Sequence, residues 1–195
     1  MMNFQRQQDI NAVDFFGYYH LINQFVLRSC KDQLTSLQVK QNSLFEVGYK
    51  IGRSVVEKIT ENCLDKFKED AEKNQAKCLP QIKFISKDFW SYLFQKEVDK
   101  ANHNTKGTFY LKVQTFTMFE KISSMESSEV QDFVSLWYQV IRGLIAGAMK
   151  GLSYPSEVSV DSVAPEKPDH IQPFMISIQI LNYAILQPSS QIQQK

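Results

Sequence analysis

Gly143, Gly147 and Gly151 recur at every fourth position of an apolar run from Trp137 to Leu152, and Gly48 and Gly52 repeat the spacing earlier in the chain. Each glycine inside a helix costs about 1 kcal/mol relative to alanine. Five of the seven glycines fall in these two stretches, so a contact that only glycine permits must offset several such losses. Residues four apart share a helix face, and a face without side chains lets another backbone come close. The spacing therefore predicts two tightly docked helices with Gly48, Gly52, Gly143, Gly147 and Gly151 at their contact. It points to assembly rather than chemistry.

The 195 residues are enough for one substantial core. With 43% hydrophobic and 22% charged residues and a formal net charge of +1, the composition is that of a globular domain. No bulk electrostatic pull toward nucleic acid or an anionic membrane follows from it. Cys30, Cys63 and Cys78 are an odd, scattered set, which fits a reducing compartment better than a disulfide framework. The N-terminal residues read as no secretory signal, and the most apolar window, Val140 to Met149, is too short to span a bilayer and contains Arg142. The glycine spacing is thus read as soluble helix packing.

Residues 1–9 read as a flexible polar lead-in, 10–186 as a single domain, and 187–195 as a disordered polar tail. From Ile10 to Leu27 nearly every turn is apolar or aromatic, more than one core-facing stripe requires. Such a helix is either wrapped by its own domain or shared with a partner. A second helix is expected from near Leu37 to Cys63, followed by a charged stretch, Asp65–Lys77. Pro80 opens a third helix with a stripe of Ile82, Ile85, Phe89, Leu93 and Val98, ended by turn residues Ala101–Gly107. Thr108–Val113 and Thr115–Lys121 read as a short hairpin. A fourth helix, with Ser128 and Gln131 as a possible capping box, is apolar nearly all round beyond Trp137 and stops at Tyr154-Pro155. Glu157–Val163 and Phe174–Leu181 alternate as strands, joined by the loop Pro165–Pro173. The order helix-helix-helix-strand-strand-helix-strand-strand predicts an α+β fold: four main helices on one side of a small antiparallel sheet of about four strands.

No catalytic or metal motif stands out. His20, His103 and His170 are far apart and lack the pairing that zinc or a hydrolase triad needs. Gly147-Ala148-Met149-Lys150-Gly151 lacks the hydroxyl and upstream glycine of a phosphate loop. Lys106–Val113 faintly echoes an RNA-recognition strand, but its aromatic positions miss and it reads better as core packing. Arg142, inside the most apolar helix, calls for a carboxylate or several carbonyls. It is a candidate for a structural ion pair, or for an interface contact. The cysteines read as inert thiols, with acyl carriage as the functional alternative.

Several runs, in order over roughly residues 40–181, resemble the small-subunit family of the TRAPP vesicle-tethering complex, and within it the subunit 6 branch. Gly48-Tyr49-Lys50-Ile51-Gly52 with Val56-Glu57-Lys58 is similar to that family's second-helix signature. Lys83-Phe84-Ile85-Ser86-Lys87-Asp88-Phe89-Trp90 resembles the sixth subunit's third-helix run, Gly107–Phe119 its hairpin, and Ile141-Arg142-Gly143-Leu144 with Gly151-Leu152 the isoleucine/leucine-Arg-Gly helix. The Ser-Glu-Val-Ser around Val158 resembles the strand that follows. The resemblance implies an α+β domain, no cofactor, and heterodimerisation with a third-subunit paralogue through the first two helices. It also implies a place in a guanine-nucleotide exchange factor for a Rab GTPase in endoplasmic reticulum–Golgi traffic, with the exchange chemistry on neighbouring subunits. The subunit itself would be a non-enzymatic, cytoplasmic scaffold, peripheral to membranes and to the Rab only through the complex. The third subunit's acyl-cysteine is not carried over, since Cys63 and Cys78 fall near but not on its place.

Phe16, Tyr19, Ile22, Phe25 and Tyr49 are the expected partner-facing anchors. Two rivals come from other classes: a domain holding an acyl chain or haem between helices and sheet, and an RNA-binding module.

Overall fold

The computed structural model describes residues 20–60, 78–119, 125, 127–166 and 172–181. The expected lead-in 1–9, tail 187–195 and charged stretch Asp65–Lys77 lie outside these residues. So does the Ser128 side chain of the expected capping box.

Among the described residues, four helices and four strands follow one another in the order expected from the sequence. Helix α1 spans residues 20–31. Helix α2 is Leu37–Thr60. Helix α3 starts at Leu79–Phe84, widens to a π-helical turn over Ile85–Phe89, and resumes as Trp90–Phe94. Strands β1 (Lys100–His103) and β2 (Thr108–Val113) come next, then helix α4 (Ser127–Gly151), β3 (Ser156–Ser162) and β4 (Phe174–Ile180). The sheet is antiparallel throughout, in spatial order β1-β2-β4-β3.

Alternation decides which face of the sheet is inside. In β4, Phe174, Ile176, Ile178 and Ile180 are buried while Met175, Ser177 and Gln179 are only partly so. In β2, Phe109, Leu111 and Val113 are buried in register opposite them. The helices cover this one face, so the period-2 pattern maps directly onto the layer boundary.

Helices α2 and α4 run parallel at backbone distance. A Cβ added to Gly48 or Gly52 would fall inside 3.0 Å of the Val140 or Leu144 carbonyl on α4. A Cβ on Gly143 or Gly147 would fall equally close to the Phe45 or Tyr49 carbonyl on α2. The gaps are reciprocal: each helix presents two bare positions to the other's backbone. Gly151 is different, because its Cβ would meet Val56 Cγ1 at an ordinary, if tight, 3.3 Å.

The ends of α3 and α4 are closed by left-handed residues. Gln95 (φ 55°) terminates α3, its N–H donating to Ser91 O at 2.9 Å. After α4, Ser153 (φ 68°) donates to Lys150 O at 3.0 Å and Tyr154 to Met149 O at 2.9 Å, the paired bonds of a Schellman cap. The π-helical turn of α3 leaves the Ser86 carbonyl to accept the Val98 N–H at 3.0 Å, tying the helix to the lead into β1.

The hairpin departs from expectation. Its first strand is Lys100–His103, and the turn is confined to residues 104–107. Asn104 Oδ1 accepts the N–H of both Lys106 and Thr108 at 2.9 Å, and Gly107 adopts φ 82°. Thr115–Lys121 does not form the second strand. Among its described residues, 117–119 make a single 3₁₀ turn that drives Phe116, Met118 and Phe119 inward. Phe116 meets Phe94, Phe119, Trp137 and Phe174 edge-on with centroids 5.0–5.6 Å apart, so the aromatics read as strand are a plug in the core.

Gly52→Ala or Gly147→Ala should lower unfolding stability by roughly 2 kcal/mol or more, since the obstructing atoms are backbone and cannot move aside. Gly151→Ala should change it by less than about 1 kcal/mol. Denaturant unfolding of the three variants checks the difference.

Candidate partner interface

Helix α1 is apolar on two sides, and the fold of this chain covers one of them. Ile22 and Val26, four apart, are buried at 6% and 0% exposure. Leu21 and Phe25, also four apart but turned away from the core, remain 69% and 42% exposed. Of the expected anchors, Phe25 therefore faces outward, and Ile22 does not: it is a core residue of this chain. Tyr49 is half-buried, its ring 6.2 Å from Phe45 and its carbonyl against Gly147, so much of it serves the α2–α4 contact. Phe16 and Tyr19 lie outside the described residues. Leu37 (44% exposed) and Val39 (52%), at the start of α2, are also open to solvent. Neither stood out in the sequence, because two apolar residues two apart in the first turn of a helix follow no helical spacing.

Among the described residues, Arg142 is joined to polar and aromatic groups rather than to an acid. Its Nε donates to the Val158 carbonyl at 3.0 Å and its Nη1 to Gln139 Oε1 at 3.4 Å, while the guanidinium lies 5.1 Å over the Phe45 ring. Val158 is the β3 residue whose carbonyl points to the sheet's outer edge, away from β4. Among the described residues Arg142 forms an edge cap where an ion pair was expected, because it stands where α4 passes a strand with unpaired carbonyls. The side chain is exposed, so no buried charge demands a counter-ion.

The described thiols are poorly placed for chemistry. Burial, reinforced by the nearby Asp132, pushes Cys30 up to about 11. Burial also raises Cys78, which is fully enclosed. Both therefore stay protonated at neutral pH, the unreactive form. Cys63 lies outside the described residues. Among the described residues no group of three or more His, Cys, Asp or Glu is arranged to hold a metal ion. No described helix is long and apolar enough to cross a membrane. His20 and His103 are exposed, the latter stacked 5.7 Å from Phe109. In β2, where an RNA-recognition strand would present aromatics, Phe109 is buried under the helices and only Tyr110 faces the other way.

At one end of the sheet Glu166 gathers three donors from the β1–β2 hairpin and the residues after it. Lys112 Nζ lies 2.7 Å and Lys100 Nζ 3.0 Å from its Oε1, and Gln114 Nε2 lies 2.9 Å from Oε2. The hydrogen bond from Lys112 first, and that from Lys100 next, pull the carboxyl down to about 2.

The sequence profile described as "Transport protein particle (TRAPP) component" matches residues 17–179. The chain belongs to the TRAPP component family. It is similar to the trafficking protein particle complex subunit 6b of Danio rerio, with 26% identity over 125 residues, covering 64% of this chain and 73% of the relative. It is also similar to the human subunit 6B, with 26% identity over 118 residues, covering 60% and 68%. A solved structure of a subunit 3 from Naegleria fowleri, covalently bound to palmitic acid, overlays with a TM-score of 0.49 at 12% identity, covering 90% of this chain and 98% of the other.

A carboxyl with a depressed folded-state pKa contributes stability above its unfolded value, here near 4.5, and loses it as pH falls toward about 2. Glu166→Gln should therefore lower the melting temperature at pH 7, and the difference from wild type should vanish by about pH 2 and shrink in high salt. Thermal melts across pH and ionic strength read this out.

Proposed function

We propose that this chain is a subunit-6-type, non-catalytic scaffold of a TRAPP complex, binding a third-subunit paralogue through the outer side of α1 and the adjoining part of α2. The observation that carries the reading is the division of α1: Ile22 and Val26 are consumed by the chain's own core, while Leu21 and Phe25 remain open to water. A helix that spends apolar residues on a second face gains nothing from them until another surface covers it. The similarity to subunit 6 of animal TRAPP complexes supports the choice of branch, and the sequence runs around Gly48, Lys83 and Arg142 support the same choice.

In this reading the complex acts as tether and Rab exchange factor in endoplasmic reticulum–Golgi and intra-Golgi traffic. This chain supplies architecture. It reaches the Rab and the membrane only through its neighbours, works on the cytoplasmic side, and binds neither nucleic acid nor a cofactor.

Co-expression with a third-subunit paralogue followed by size-exclusion chromatography tests the pairing. The wild-type chain should co-elute with the paralogue as a one-to-one species. Phe25→Asp should weaken the pair by about tenfold or more, as expected for a central apolar anchor, with the melting temperature of the isolated chain unchanged. Two well-folded chains that elute separately would refute the proposal.

A further inference from the structure

The sheet has two edges, and they differ in what they offer. On β1, Asn104 N–H donates to Thr108 O at 3.0 Å, so the even-numbered residues bond to β2. Only Ala101 and His103 of β1 turn their backbone groups outward, and two residues make a poor template for another strand. On β3, Val163 N–H donates to Pro173 O and Leu181 N–H to Pro155 O, both at 3.0 Å. The odd-numbered residues therefore bond to β4, and Ser156, Val158, Val160 and Ser162 direct N–H and C=O to the free side. Among the described residues no strand pairs with that side.

This edge reads almost the same in both directions: Ser-Glu-Val-Ser-Val-Asp-Ser, centred on Ser159. A symmetric pattern suits antiparallel pairing with a copy of itself, because each side chain then meets its like on the same face. A second copy related by a two-fold axis at Ser159 would set Val158 opposite the copy's Val160 and Ser156 opposite its Ser162. All the outward N–H and C=O groups would be matched. The two valines share the helix-covered face, Val158 buried and Val160 half-buried.

Three side chains stand against that pairing. Arg142 Nε already holds the Val158 carbonyl at 3.0 Å, its guanidinium fixed 5.1 Å over the Phe45 ring and bonded to Gln139 Oε1 at 3.4 Å. A second copy must dislodge it to reach that acceptor. On the open face Glu157 and Asp161 are exposed, and the same axis sets each Glu157 directly opposite an Asp161. Two like-charged cross-strand pairs result, each unfavourable. Shifting the register by two residues separates the acids, but it gives up two of the seven positions of overlap. The Arg142 cap remains in every register.

We propose that Arg142, Glu157 and Asp161 together guard the free edge of β3 against pairing with a second copy of this chain, and that lifting the guard yields a two-fold β3–β3 dimer centred on Ser159. The guard is independent of the outward surface of α1 and does not rest on the scaffold reading. It keeps the longer edge of the sheet closed to self-association while the rest of the surface remains free to assemble.

The test uses the full chain carrying Phe25→Asp, which removes self-association through α1, with mass read by light scattering after size-exclusion chromatography. In this parent, amide exchange at Val158 and Val160 should be about tenfold or more faster than at Ser159 and Asp161, whose N–H groups face β4. Arg142→Ala with Glu157→Lys removes the cap and gives each Asp161 a lysine to face. That variant should dimerise about tenfold or more tightly than the parent, with the Val158 and Val160 amides becoming protected. Adding Asp161→Lys restores like charges across the axis and should return the monomer. Slow exchange at Val158 and Val160 in the parent overturns the proposal, because the edge would then already be covered. A folded double variant no more dimeric than its parent overturns it too, as does a dimer that survives Asp161→Lys. Should Arg142→Ala fail to fold, Arg142→Gln with Glu157→Lys is read in the same way.

Discussion

The contact between α2 and α4 holds the rest of the molecule in place. Two backbones meet with only hydrogens between them at Gly48, Gly52, Gly143 and Gly147, and each helix supplies half of the clearance. This geometry fixes the axial register, because sliding either helix by one residue brings a side chain against a carbonyl. Once α4 is fixed, its other faces are assigned: Trp137, Ile141 and Leu144 lie in the core, and Arg142 reaches the edge of β3. A Leu/Ile seam would bury more apolar area, but it would tolerate several registers. The glycines exchange helix propensity for position.

Much of the architecture could be read in the chain because its apolar spacing has a definite period. The four-residue glycine recurrence, the stripe from Ile82 to Leu93 and the alternation of Phe174 to Ile180 all survive as packed elements, while Val98, expected to continue the stripe, falls beyond the helix end at Phe94. The hairpin did not. Lys100–His103 is exposed at every position, so β1 carries no alternation and its polar residues resemble a turn. Phe116, Met118 and Phe119 alternate enough to mimic a strand while packing as a plug. In both places the deciding influence is tertiary: one segment is a strand because β2 needs a neighbour, and the other is buried because Trp137 and Phe174 leave a space.

The candidate interface was legible only in outline. An excess of apolar residues in the N-terminal helix shows that two faces exist, yet nothing local distinguishes Ile22, which is buried, from Leu21, which is not. That assignment depends on where α2 and α4 sit. Arg142 teaches the same lesson. Its apolar sequence surroundings call for a counter-charge, but the partner is a strand-edge carbonyl that no spacing rule reveals.

The sheet order β1-β2-β4-β3 has a further consequence. Its central pairing joins β2 to β4 across more than sixty residues of chain, with α4 and β3 made in between. During synthesis the inward faces of Phe109 and Leu111 must therefore wait for Ile176 and Ile178 to emerge before they gain a neighbouring strand. Closure of the fold is therefore a late event in its formation. Until it occurs, the nascent chain carries a half-built sheet in which β2, paired with β1 on one side, leaves its other edge open, a natural substrate for a chaperone that shields extended apolar segments.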